Sequence, residues 1–99
     1  MVKAVAAELH TAMGEVRART FRLVEHLDEE ALTAVLSPIM SPLAWDLGHV
    51  AAYEDLWLNH RVAGRELLRD DLAALYDAFE TPRAVRGDLE WPRRCRRCR

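Results

Sequence analysis

One row of residues returns at steps of three and four along the first quarter of the chain, at Val5, Leu9, Ala12, Val16, Thr20, Leu23 and Leu27, apolar at every position but Thr20, while Glu8, Glu15, Arg17, Arg19 and Glu25 mostly fall between them. That period predicts one long amphipathic helix over about residues 3–27. Asp28 can cap a short helix reaching to about Val35, with Glu29 and Glu30 at its positive end. Residues 36–40 read as a connector. Ser41 followed by Pro42 then signals a new start: the hydroxyl can accept from a free first-turn N–H, and proline has no N–H to leave unsatisfied. The second long helix is expected from Pro42 to about Val62, with Gly64 ending it. Asp70 or Asp71 can cap a further short helix through Phe79, and Pro82 turns the chain irregular. No alternating strand pattern and no internal repeat occurs. The expected fold class is all-α: an incomplete up-down helical bundle of two long helices and several short ones.

On a helical wheel the second long helix is apolar on two sides. Leu43, Leu47, Val50, Ala51, Trp57 and Leu58 fall on one, and Trp45, His49, Tyr53 and Leu56 nearly opposite. A helix apolar on both sides requires partners on both. With only one other long helix, the inventory is about two helices short of a closed four-helix bundle. Large side chains left in water would each forgo about 1.5–3 kcal/mol of burial, so marginal folding or self-association is expected.

Length and charge narrow the classes. At 99 residues the chain is one small domain, too short for a self-contained multidomain enzyme. No run approaches the roughly 20 apolar residues of a membrane span, and the first residues carry too little for a secretory signal, which makes a cytoplasmic setting the expectation. Residues 91–99, Trp-Pro-Arg-Arg-Cys-Arg-Arg-Cys-Arg, hold five of the 14 basic residues and none of the 16 acidic ones. The preceding 90 residues therefore carry nine basic against 16 acidic side chains, a net charge of −7. A basic arm can bind nucleic acid, but no basic helix face or stacking set accompanies it, so nucleic acid is not the expected partner. The break in composition after Leu89 divides a helical region, 3–89, from an unrelated tail, 90–99. It reads as a foreign end produced by a frame change, a truncation or a gene-model error.

Four places could carry chemistry. His49 sits among apolar residues, with Asp46 one turn before it and Tyr53 one turn after, and a metal-bound imidazole commonly has a carboxylate or carbonyl orienting its second nitrogen. Asp46 is placed for that role, although spacing alone favours a core histidine satisfied by one hydrogen bond. His60 is about 16 Å further along the helix and cannot share a mononuclear metal with His49. His10 and His26 read as solvated. Cys95 and Cys98 make half of a zinc site or a possible dithiol, and half is not a site. Arg83 and Arg86, three apart in a proline-ordered loop, could clamp a carboxylate or simply keep the surface soluble.

The stretch Ser41-Pro42-Leu43-Ala44-Trp45-Asp46-Leu47-Gly48-His49-Val50, continued by Tyr53-Glu54-Asp55-Leu56-Trp57-Leu58, resembles the N-terminal DinB-like domain of the ergothioneine-biosynthesis sulfoxide synthases, most of all the actinobacterial type. Leu75-Tyr76-Asp77-Ala78-Phe79 with Pro82-Arg83-Ala84-Val85-Arg86 matches the same family in the right order. The likeness covers about residues 3–89. It implies a non-haem iron(II) oxidoreductase that joins hercynine to the sulfur of gamma-glutamylcysteine, or of cysteine in some members, using O2. It implies that His49 is one of three histidine iron ligands, the other two lying on a later His-x-x-x-His helix that this sequence does not contain. Arg83 and Arg86 fall on the family's pair that binds the carboxylate of the thiol substrate. The family's catalytic tyrosine belongs to a C-terminal domain that this sequence also lacks, and no catalytic residue is assigned here.

Beside a small metal- or nucleic-acid-binding protein built on the Cys95–Cys98 pair and the arginine-rich tail, two readings follow. In the first, the chain is an N-terminal fragment of such an enzyme, inactive alone and binding no iron by itself. In the second, it is a stand-alone helical interaction module whose two copies complete a bundle as a homodimer, pairing the faces that bear Trp45 and Tyr53.

Overall fold

The computed structural model describes residues 1–88, which are helices, turns and connectors without a strand among them. The Cys95–Cys98 pair and the arginine-rich tail lie outside the described residues. The chain forms two compact units, one of residues 1–31 and one beginning at Leu32.

In the first unit, α1 runs Val2–Val24 and closes with the Glu25 N–H donating to the Phe21 carbonyl. It ends three residues short of the expected 27, and it buries none of its residues. Asp28 caps as anticipated: its carboxylate accepts from the Ala31 N–H at 2.8 Å, opening the short α2, Glu29–Thr33.

The second unit is built on α3, Leu43–Glu54. Here the expected cap is corrected. Pro42, not Ser41, occupies the cap position with extended backbone and no side-chain cap bond, and its carbonyl accepts from the Trp45 and Asp46 N–H groups. The Ser41 hydroxyl is drawn off to Arg86 instead.

The helix expected to run unbroken to Val62 widens into a π-helix over Asp55–Val62. In the wider π turn, four residues no longer overshoot a full turn. That change brings Trp57 back into the row of Trp45, His49 and Tyr53, although an ideal wheel places it on the other side. Tyr53 and Trp57 have ring centroids 6.0 Å apart. Gly64, with φ +69°, ends the helix as expected, its N–H donating to the His60 carbonyl.

The helix expected over 70–79 does not form. A single 3₁₀ turn, Asp70–Leu72, is followed by turns. Asp71 is diverted into a bidentate pair with Arg69, at 2.8 and 2.7 Å. The Asp77 carboxylate accepts from the Phe79 and Glu80 N–H groups and bends the chain again. After Pro82 the chain forms a 3₁₀ helix, Arg83–Asp88, where an irregular segment was expected.

Candidate functional site: the His49 cluster

The cluster begins with a loop fastened to the π-helix. The Asp55 carboxylate accepts from the Leu68 N–H at 2.9 Å and from the Asn59 amide at 2.9 Å. The same Asn59 amide donates to the Glu66 carbonyl, and His60 Nδ1 to the Arg65 carbonyl. Loss of hydration pushes Asp55 up, but the Leu68, Asn59 and Arg69 hydrogen bonds and the His60 charge together outweigh it and hold the carboxyl below its ordinary range. So fastened, the loop delivers residues 72–77 back alongside α3.

Two backbone carbonyls of that returning segment meet two side chains of α3. Trp45 Nε1–H donates to the Leu75 carbonyl at 3.0 Å, and His49 Nδ1 bonds to the Tyr76 carbonyl at 2.6 Å. A carbonyl can only accept, so His49 carries its proton on Nδ1 and leaves the Nε2 lone pair unprotonated in the neutral ring. The orienting partner on Nδ1 is thus a carbonyl, where the sequence suggested the Asp46 carboxylate. The His49 ring stacks on Trp45 with centroids 4.8 Å apart and planes inclined by 13°. Tyr53 follows at 5.8 Å.

Close approach of Tyr76 to α3 depends on Gly48. A Cβ built at that position falls on the Tyr76 ring itself. Trp45 is 2% exposed and Tyr76 8%, and Pro42 at the start of α3 is fully buried as well.

Arg86 closes the cluster from the second half of the sequence. Although charged, it is 5% exposed. Its guanidinium lies 3.7 Å over the Trp45 ring and donates from Nε to the Thr81 carbonyl, from Nη1 to the Ser41 hydroxyl and from Nη2 to the Ala78 carbonyl. Three of its five N–H groups are thereby engaged within the chain, an arrangement the Pro-Arg-x-x-Arg pattern did not reveal. Arg83 is exposed. Asp46 is exposed as well, and its carboxyl is pushed up by loss of hydration against the opposing pull of Arg86, His49 and Arg83. His10 and His26 are exposed, as expected.

Beside this cluster opens a cleft of about 1070 Å³, lined by Gly48, His49, Tyr53, Trp57, Tyr76 and Phe79 among others. Its walls are mostly aromatic and aliphatic, with Asp55, Arg61, Arg69, Asp77 and Glu80 also lining it, and His49 is the residue there with an imidazole to offer. Among the described residues no three His, Cys, Asp or Glu side chains are grouped to hold a metal. The donor set therefore fits one ligand of a metal site and not a whole one. No helix among the described residues is long and apolar enough to cross a membrane.

The family model described as the DinB superfamily matches residues 12–94. The hercynine oxygenase of Mycolicibacterium thermoresistibile is 44% identical over 85 residues, covering 84% of this chain and 19% of that protein. The hercynine oxygenase of Mycobacterium tuberculosis is 42% identical over 84 residues, 83% of this chain and 20% of its own length. That of Mycolicibacterium smegmatis is 46% identical over 77 residues. The chain thus spans about a fifth of the length of these relatives. With the match running through both compact units and the whole His49 cluster, the chain belongs to the DinB superfamily.

Proposed function

We propose that this chain supplies the DinB-type part of a cytoplasmic non-haem iron(II) sulfoxide synthase acting on hercynine and a small thiol, gamma-glutamylcysteine or cysteine. The observation that carries the reading is the hydrogen bond from His49 Nδ1 to the Tyr76 carbonyl. It sets the tautomer and orientation that a metal-ligating histidine needs, with Nε2 as the donor atom. Iron(II), when bound, would supply O2 activation, and one imidazole is too few ligands to hold it. The remaining ligands come from residues beyond the described ones, and the chain alone is inactive.

Arg83 presents its guanidinium fork at the surface and binds the thiol substrate's carboxylate. Arg86 adds positive charge behind it, with two N–H groups beyond its three internal bonds. Asp46 acts electrostatically on this group of charges and not through a bond to His49 Nδ1.

The test is a chimera in which residues 1–88 replace the matching stretch of a hercynine oxygenase relative. The chimera should form sulfoxide from hercynine, thiol, iron(II) and O2, while the isolated chain should form none. Turnover by the isolated chain, or a folded chimera without turnover, contradicts the reading.

A second reading, a self-associating helical module, loses the pairing face expected at Trp45, which is 2% exposed and packed within the chain, and is favoured instead by the apolar side chains that α1 leaves exposed, among them Val5, Leu9, Val16 and Leu23. Its prediction is argued at the scale of the whole molecule below.

A further inference from the structure

We infer that Arg86 is a positioning residue for His49, acting through Trp45. A charged side chain that is 5% exposed loses its hydration and persists only where its N–H groups are satisfied inside the protein. Arg86 meets that condition with three bonds to three places: the connector before α3 at Ser41, the turn at Ala78 and the turn at Thr81. The two turn acceptors are themselves held. The Thr81 N–H donates to the Asp77 carbonyl and its hydroxyl to the Ala74 carbonyl, and Ala78 lies inside the turn that the Asp77 carboxylate bends.

The guanidinium plane so held packs 3.7 Å over the Trp45 indole. The indole in turn has one polar atom, Nε1, and it is committed to the Leu75 carbonyl. A cation on the ring and a hydrogen bond at its edge leave the indole one orientation. His49 stacks on that indole at 4.8 Å and 13°, and its Nδ1 bonds to the residue next to Leu75, Tyr76. The direction in which Nε2 points is therefore set by a chain of contacts that starts at Arg86. Lysine cannot replace it, because a single ammonium cannot reach three acceptors in one plane and stack at once.

The inference rests on the reading of His49 as a ligand only for its importance; the geometry it concerns exists without metal or substrate. Its test is NMR on the full chain, metal-free, reading the ring-proton shifts of His49 and the exchange of the Trp45 indole N–H. Stacking on an indole moves the His49 ring protons upfield. In Arg86→Lys the His49 protons should return downfield and the Trp45 N–H should exchange about tenfold faster or more. Ser41→Ala, which removes a single acceptor, should move both readings in the same direction by less. It carries the test where Arg86→Lys does not fold. Asp28→Ala, which removes the α2 cap and loosens the chain without touching the cluster, should leave the His49 shifts in place. Unchanged His49 shifts in folded Arg86→Lys or Ser41→Ala overturn the inference, as does an equal change in Asp28→Ala. Failure here leaves the metal reading of His49 standing. Loss of iron in the chimera, conversely, would not move these shifts.

Discussion

At Gly48 two residue-scale effects oppose each other. Replacing a helix-interior glycine by alanine favours the helix by about 1 kcal/mol. At this position the added methyl would coincide with the Tyr76 ring, which is 8% exposed and held at its backbone by the bond to His49. Overpacking of that kind costs about 1–3 kcal/mol, so Gly48→Ala is expected to be net destabilising, by up to about 2 kcal/mol in urea unfolding, and to lengthen the His49–Tyr76 hydrogen bond. An unchanged or raised midpoint would mean that Tyr76 yields. The glycine was legible in the sequence as part of Trp-Asp-Leu-Gly-His, but not its reason. Its partner lies 28 positions away in a segment whose predicted helix does not form. His49 shows the same division, for its place among apolar residues was legible while its carbonyl partner was not.

At the scale of elements, period and punctuation served where the interactions were local. The α1 stripe, the Asp28 cap and the Gly64 stop depend on residues within a turn or two, and they are present with ends shifted by a few residues. Where a distant partner competes, local rules failed. Ser41 gave up its capping role to Arg86, 45 residues on, and α3 widened into a π-helix whose Asp55 carboxylate reaches 13 residues forward to Leu68. That clamp has a pH signature. Because the folded protein holds the Asp55 carboxyl below its ordinary range, its stabilisation is complete above the unfolded-state pKa and is lost as pH falls through the lower folded value. The difference in urea midpoint between the native chain and Asp55→Asn should be largest near neutral pH and disappear in acid. A difference that stays constant with pH would assign the effect to shape and not to charge.

At the scale of the whole molecule, the buried residues among those described are few and lie in the second unit. They are Pro42, Trp45, Tyr76, Thr81 and Arg86, while α1 buries nothing and Phe79 is 99% exposed. Apolar side chains exposed in this number favour association. Sedimentation of the isolated chain should accordingly show association that grows with concentration. A concentration-independent monomer with a sharp cooperative melt would contradict this and show that the small core suffices. The helical class was legible from the pattern alone, whereas the division into two units was not, since amphipathic period says nothing of which faces meet.

The claim on which the functional account turns is that His49 Nε2 is a metal donor. The most direct measurement is the iron content of the purified chimera bearing residues 1–88, compared with its His49→Gln form, at equal folding by circular dichroism. The account predicts stoichiometric iron in the first and a loss of at least tenfold in iron affinity in the second, in line with the removal of one ligand from a small set. Equal iron in both would contradict it and return His49 to the core as a histidine held by a single hydrogen bond.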